Sequence, residues 1–141
     1  YTGRSHDSAG IIERKIALMS SHDDNICHLH RMKTLAFDAK KYLLRGQLDD
    51  LGALLDEMWQ CKRASVQGVS NSYIDSLYGT ARKAGALGGK LTGAGGGGFM
   101  FFYCPPGVKH KVIEALKPLG GEQRRFEFTS EGLHTWQGHY R

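Results

Sequence analysis

The order of the predicted elements places this chain in the α+β class. Helical segments fill the chain as far as Gly85, and the predicted strands follow in its second half. Segregated helices and strands are typical of α+β folds, whereas α/β folds alternate the two. From about Ser70 onward the order is helix, strand, strand, helix, strand, which is close to a split β-α-β arrangement. We therefore predict one α+β domain over residues 1–141.

Bulk properties indicate an ordinary globular domain. Its 141 residues are 40% hydrophobic and 23% charged, which is usual for such domains and sufficient for a core. The net charge of +5 comes from scattered basic residues and slightly favours anionic ligands. No segment reaches the length of a membrane span. Because the three cysteines, Cys27, Cys61 and Cys104, are odd in number and share no metal or redox spacing, we expect free thiols in a reducing cytoplasm.

Hydrophobic spacing predicts four helices before the strands. The first covers residues 4–20, and the second runs from a break at 20–24 to about Leu44, where Arg45-Gly46 ends it. Asp49 or Asp50 is predicted to cap the third helix; the fourth begins near Ser70 or Ser72 and stops at Gly85. The predicted buried faces are, in chain order, Ala9, Ile12, Ile16 and Met19; Ile26, Leu29, Met32, Ala36, Ala39 and Leu43; Leu51, Leu54, Leu55, Met58 and Trp59; and Ile74, Leu77, Tyr78 and Ala81.

The predicted strands begin around a run of glycines. Residues 90–92 are predicted to finish one strand, and the apolar run 99–103 is predicted to form a second, fully buried strand. A fifth helix follows Pro105-Pro106-Gly107 and ends at Gly120-Gly121. Residues 123–129 alternate, which predicts a half-buried strand with Phe126 and Phe128 on its inner face. In the tail, Trp136 and Tyr140 are expected to dock on the body.

The glycine run 93–98 is the strongest candidate for a site. Glycine loses much entropy on folding, so four in succession indicate positive φ angles or a very close backbone approach. The run matches the dinucleotide pattern G-x-G-x-x-G, but that motif requires a following helix, and a strand follows here. The ATP-binding P-loop is excluded as well, because Lys90 precedes the glycines. What remains is a nest of backbone N–H groups for anionic oxygens or for bracing another phosphate-binding segment. A tight hairpin is the structural alternative.

The segment Lys90-Leu91-Thr92-Gly93-Ala94-Gly95-Gly96-Gly97-Gly98 resembles the third motif of the GHMP kinases, the superfamily of galactokinase, homoserine kinase and mevalonate kinase. The likeness is closest to its sugar-kinase branch that phosphorylates D-glycero-D-manno-heptose 7-phosphate. Residues 1–5 resemble the start of that branch's C-terminal domain, and Phe126-Glu127-Phe128 with Gly132 and Trp136 resembles its end. The resemblance implies a ferredoxin-like domain, in which helices cover one face of a small antiparallel sheet.

The resemblance also implies an ATP- and Mg²⁺-dependent phosphotransferase. The family's Pro-x-x-x-Gly-Leu-Gly-Ser-Ser-Ala loop, its magnesium-binding Ser and its catalytic acidic residue belong mainly to an N-terminal domain, and this loop is absent here. We therefore interpret the chain as a C-terminal fragment without catalytic residues, inactive alone and partnered by the N-terminal domain. On the ATP side the candidates are Lys90, Thr92, Gly93, Ala94, Gly95, Gly96, Gly97 and Gly98. The candidate residues for binding the sugar phosphate are Thr2, Gly3 and Arg4.

Other function classes stay open from the sequence. A stand-alone ferredoxin-like regulatory domain that binds a small molecule, or another GHMP kinase, would fit the same pattern. A nucleic-acid-binding module is disfavoured, because no aromatic-rich RNA motif lies beside basic residues. A metal site is also disfavoured, because His28 and His30 are two residues apart on a helix and face away from each other.

Overall fold

The computed structural model describes residues 1–3, 8–19 and 23–136. The elements are α1 (Ser8–Met19), α2 (Asp23–Leu44), α3 (Leu48–Ser65), α4 (Ser72–Lys83), β1 (Gly88–Leu91), β2 (Met100–Tyr103) and α5 (Lys109–Leu116), which continues into a short 3₁₀ helix at Lys117–Leu119. Strands β1 and β2 pair antiparallel, with Gly88 opposite Tyr103 and Leu91 opposite Met100. This confirms the α+β class with a small antiparallel sheet and helices.

Helix α3 lies at the centre of the core. Its Trp59 is completely buried and packs in one cluster with Ile11, Val66, Val69, Ile74, Tyr78 and Leu91. The helix backbone rests directly on β1, because a Cβ built on Gly88 would collide with the carbonyl oxygen of Gly52. Two glycines in contact thus bring helix and strand together more closely than any side chain would allow.

Helix α4 follows its predicted pattern closely. All four residues of its predicted face are buried. Its N-cap is Asn71, between the two predicted serines, and the Asn71 side chain accepts a hydrogen bond from the Ile74 amide at 3.0 Å. The predicted ends of α2 and α4 are also confirmed, since Gly46 and Gly85 have φ angles of +67° and +109°.

The predicted cap of α3 is wrong. The helix begins at Leu48, and Gln47 precedes it without a side-chain capping bond. Both predicted caps lie inside the first turn. Asp49 accepts a hydrogen bond from the Tyr103 hydroxyl at 2.8 Å, and Asp50 accepts one from the Gln47 side chain at 3.2 Å. The aspartates are therefore well placed for the helix dipole but do not cap the helix.

The predicted buried faces of α1 and α2 are wrong in part. In α1 the buried residue is Ile11, while Ala9, Ile12 and Ile16 are exposed; the Met19 side chain lies outside the description. In α2 the buried residue is Leu35, and Ile26, Ala36 and Leu43 are exposed. Both helices carry apolar residues on adjacent stripes. Spacing alone does not show which stripe the neighbouring elements cover.

The predictions for the later strands also need correction. Strand β2 is only partly buried, because within the described residues its single strand neighbour is β1. Residues 123–129 form no strand: Phe126 and Phe128 are 70% and 95% exposed, and Trp136 is 86% exposed. Pairing stops at Glu122, which exchanges two backbone hydrogen bonds with Tyr1. No described strand lies alongside the next residues, so alternation alone cannot hold them extended. Tyr140 lies outside the described residues.

Candidate functional site

The glycine loop, residues 93–98, is closed at its base by Thr92. Both the amide and the hydroxyl of Thr92 donate to the carbonyl oxygen of Phe99, at 2.9 and 3.1 Å. Between these residues the backbone takes left-handed φ angles at Gly93, Gly95, Gly96 and Gly98. Non-glycine residues rarely adopt this region, so the loop conformation itself requires glycine at these positions.

The α3–α4 connection holds the middle of the loop. The Gly96 amide donates to the Val69 carbonyl at 2.9 Å, and the Asn71 side chain donates to the Gly96 carbonyl at 3.4 Å. A Cβ on Gly95 would lie 2.8 Å from the Val69 Cα. Glycine at this position therefore permits a close approach of two backbones. Asn71 both caps α4 and holds the loop.

The N-terminal residues hold the end of the loop. The amide and the hydroxyl of Thr2 both donate to the Gly98 carbonyl at 2.9 Å, and Thr2 is only 2% exposed. The Tyr1 ring packs against Phe99 with 5.2 Å between centroids. The structure thus brings Thr2 to the glycine loop. Gly3 is exposed with a φ of +70°, and Arg4 lies outside the described residues.

Two lysines differ in their relation to the loop. Lys90, predicted from the motif, is half-buried in β1 opposite Phe101, and its ammonium group makes no hydrogen bond or ion pair with another described residue. Lys62, which the sequence interpretation missed, donates to the carbonyl oxygens of Leu91 at 3.3 Å and Gly93 at 2.6 Å. Lys62 follows Leu55 and Trp59 at i+7 and i+3. Lys62 therefore lies on the same helix face as these two buried residues. A charged residue on a buried face was the signal from which its contact with the loop could have been predicted.

The remaining loop amides are a set of hydrogen-bond donors. Of the six N–H groups in residues 93–98, only that of Gly96 has a partner within the described part of the chain. Gly95 and Gly97 are nevertheless buried residues. A buried amide without a partner costs about 1–3 kcal/mol, so such a loop is suited to a ligand with acceptor oxygens. Consecutive N–H groups in left-handed and turn conformations are typical of anion-binding nests.

Helices α3 and α4 are tied together behind the loop. The Tyr78 hydroxyl donates to Asp56 at 2.5 Å, and Arg82 lies 3.7 Å from the other oxygen of the same carboxylate. Burial, followed by the hydrogen bond to Asp56, raises the pKa of Tyr78. Arg82 also donates to the Ala86 carbonyl at 2.8 Å, just before β1. This network fixes the helices from which Lys62 and Asn71 reach the loop.

Two further findings concern metal binding and membrane insertion. Across residues 1–3, 8–19 and 23–136, no three His, Cys, Asp or Glu side chains lie close enough together to hold a metal ion. Over the same residues, no helix has both the length and the apolar character needed to cross a bilayer.

Known proteins resemble this chain in sequence and in fold. Residues 39–120 match the family model of the GHMP kinase C-terminal region. A D-glycero-alpha-D-manno-heptose 7-phosphate kinase from Campylobacter jejuni is 32% identical over 137 residues, which is 97% of this chain and 40% of that protein. A mevalonate kinase from Pyrococcus abyssi is 38% identical over 68% of this chain and 26% of its own length. This chain therefore spans less than half the length of either relative.

The fold comparison agrees with the sequence comparison. The crystal structure of L. major mevalonate kinase in complex with R-mevalonate superposes with a TM-score of 0.73, over 83% of this chain and 36% of that one. At 24% identity this likeness concerns the fold alone. The family match covers more than half of the chain and includes the glycine loop, both strands and helices α3 to α5. The chain therefore belongs to the GHMP kinase family and corresponds to its C-terminal region.

Proposed function

We propose that this chain is the C-terminal domain of an ATP-dependent cytoplasmic kinase that phosphorylates D-glycero-D-manno-heptose 7-phosphate at its anomeric hydroxyl. Membership of the family supports a phosphotransferase with an alcohol acceptor. The heptose phosphate is favoured because residues 126–128 with Gly132 and Trp136 resemble the end of that sugar-kinase branch, and because a heptose 7-phosphate kinase aligns with 97% of this chain. A mevalonate kinase from Pyrococcus horikoshii aligns almost as far, with 33% identity over 94% of this chain, so mevalonate is the second candidate substrate.

The observation that carries this proposal is the set of loop amides that have no partner among residues 1–3, 8–19 and 23–136. Phosphoryl transfer depends chiefly on positioning and on electrostatic stabilisation, so rigid N–H donors facing phosphate oxygens are useful catalytically. The amides of residues 93–98 would hold the phosphate side of ATP, which supplies the transferred phosphoryl group. Thr92 and Thr2 close the loop at its two ends and keep it in one conformation. We assign Thr2, Gly3 and Arg4 to the sugar-phosphate side of the site, as the resemblance to the family implies.

Magnesium and the catalytic acidic residue are assigned to another part of the protein. Mg²⁺ is usually held by one or two carboxylates together with the phosphates of the nucleotide, and we assign those protein ligands to an N-terminal domain, as the resemblance implies. That domain is also the proposed partner of the glycine loop, which would brace its ATP-binding loop. The 141-residue chain alone is then expected to show no turnover above buffer with ATP, Mg²⁺ and heptose 7-phosphate.

A substrate screen with the full-length protein tests the proposal. ADP release is measured with heptose 7-phosphate, mevalonate, galactose and homoserine at equal concentrations. We expect the highest kcat/KM for heptose 7-phosphate, and the position of the new phosphate is then read by ³¹P NMR. Faster phosphorylation of mevalonate would replace the proposed substrate, as the several mevalonate kinase relatives make this the second candidate. Binding of a small molecule without ADP release would instead indicate a regulatory domain.

A further inference from the structure

Lys62 makes a contact that neither the family match nor the proposed function assigns. It projects from α3, one turn after the fully buried Trp59, to the point where β1 becomes the glycine loop. There its ammonium group donates to two carbonyl oxygens, at 2.6 Å from Gly93 and 3.3 Å from Leu91. These carbonyls lie on either side of Thr92, the residue that closes the loop.

This contact sets the direction of the first loop amide. Because a trans peptide is planar, its C=O and the following N–H point in opposite directions. The Gly93 carbonyl points toward Lys62, so the Ala94 amide points away from Lys62 and from helix α3. A hydrogen bond from an ammonium group is about twice as strong as a neutral one. It also polarises the peptide and makes the Ala94 N–H a better donor.

The other anchors of the loop act elsewhere. Val69 and Asn71 hold Gly96, and Thr2 holds Gly98, so they fix the second half of the loop. On the first half, Gly93 has a left-handed φ of +73° and a Cβ there would meet no atom within 4 Å. Steric contact therefore does not restrain Gly93, and its hydrogen bond within the described residues is the one that it accepts from Lys62.

We propose that Lys62 is a positioning residue of the kinase reaction: it fixes the first half of the glycine loop so that the Ala94 amide faces the nucleotide phosphates. The proposal rests on the proposed function of the loop. It assigns Lys62 a role through the loop rather than direct contact with substrate. A misplaced donor group costs up to about a hundredfold in rate, so removal of the ammonium should lower kcat much more than stability.

The test uses the full-length protein with Lys62→Met, which keeps an unbranched apolar stem, and Lys62→Arg, which keeps charge and donors. Lys33→Met is the matched control, since Lys33 is an exposed lysine in the middle of α2. We expect Lys62→Met to lower kcat about 10- to 100-fold with a melting temperature close to wild type. Lys62→Arg should recover part of that loss, and Lys33→Met should stay within about twofold.

Two results would overturn the proposal. One is a wild-type kcat and ATP KM for Lys62→Met. The other is equal loss of kcat in Lys62→Met and Lys62→Arg together with a large fall in melting temperature, which would make Lys62 a purely structural residue. If Lys62→Met does not fold, Lys62→Gln is tested in its place, because the shorter glutamine side chain does not reach both carbonyl oxygens. The same two results, measured on Lys62→Gln, would then overturn the proposal.

Failure of the underlying function gives a different pattern. If the full-length wild-type protein neither binds ATP in calorimetry nor releases ADP, the proposed function fails and the role of Lys62 fails with it. If the wild type is active and Gly96→Val abolishes kcat while Lys62→Met does not change it, the loop function stands and only the role of Lys62 is refuted.

Discussion

Replacing Gly96 with valine in the full-length protein should separate catalysis from stability. Gly96 has a φ of +77°, and its amide donates to the Val69 carbonyl at 2.9 Å. A β-branched residue in this region costs about 1–3 kcal/mol of strain. At about 2–4 °C per kcal/mol, the melting temperature should fall by about 2–12 °C. The Gly96 amide is already bonded to Val69, so the rate effect comes from displacement of the neighbouring amides of Gly95 and Gly97. Loss of one such preorganised donor costs about a hundredfold or more in kcat, so turnover should fall at least that far.

Gly107→Val is the matched control for this experiment. Gly107 has nearly the same φ, +78°, in an exposed turn before α5, and a Cβ there would meet no atom within 4 Å. It should therefore carry the same backbone strain and a similar loss in melting temperature, while kcat stays within about twofold. Calorimetry and steady-state ADP release measure the two quantities. Normal turnover by Gly96→Val would show that the glycines form only a structural hairpin. If Gly96→Val unfolds, Gly96→Ala replaces it.

Two further predictions concern the core behind the loop. Trp59→Ala should lower the free energy of unfolding by about 3–5 kcal/mol, because Trp59 is completely buried. Urea titrations measure this, and a loss under about 1 kcal/mol would contradict the role of Trp59 as a central core residue. Tyr78 contributes to the loss of stability at alkaline pH: its pKa is raised in the folded state, so above about pH 10 the unfolded chain loses a proton that the folded chain keeps, and stability falls. Tyr78→Phe should flatten the fall in unfolding free energy above about pH 10, and an unchanged slope would refute this assignment.

Some parts of the fold were predicted correctly, because they depend on residues close together in the sequence. The face of α4 and the end of α2 at Gly46 follow from apolar spacing and from the left-handed preference of glycine. The strand–loop–strand unit follows from glycines next to an apolar run. Spacing does not show which of two adjacent apolar stripes is buried, because that depends on which side of the helix a distant element covers. In α1, for example, Ile11 is buried and Ile12 is exposed.

Long-range contacts account for most of what the sequence did not predict. The loop was predicted by position, but four of its anchors lie 25 or more residues away in the chain: Thr2, Lys62, Val69 and Asn71. The strand predicted at 123–129 failed because a strand needs a neighbour, and described pairing ends where Glu122 meets Tyr1. The placement of Lys90 and Thr2 toward substrate stays a prediction.

The left-handed conformation of Gly93, Gly95, Gly96 and Gly98 has a genetic consequence. Every glycine codon begins with GG, so a single-base missense change introduces Ala, Val, Ser, Cys, Asp, Glu, Arg or Trp, each with a Cβ. Asparagine, which tolerates this backbone region better than most residues, is two base changes away. At these four codons, therefore, a single-base missense change cannot introduce asparagine, and among the residues it can introduce, aspartate is the one enriched in this backbone region.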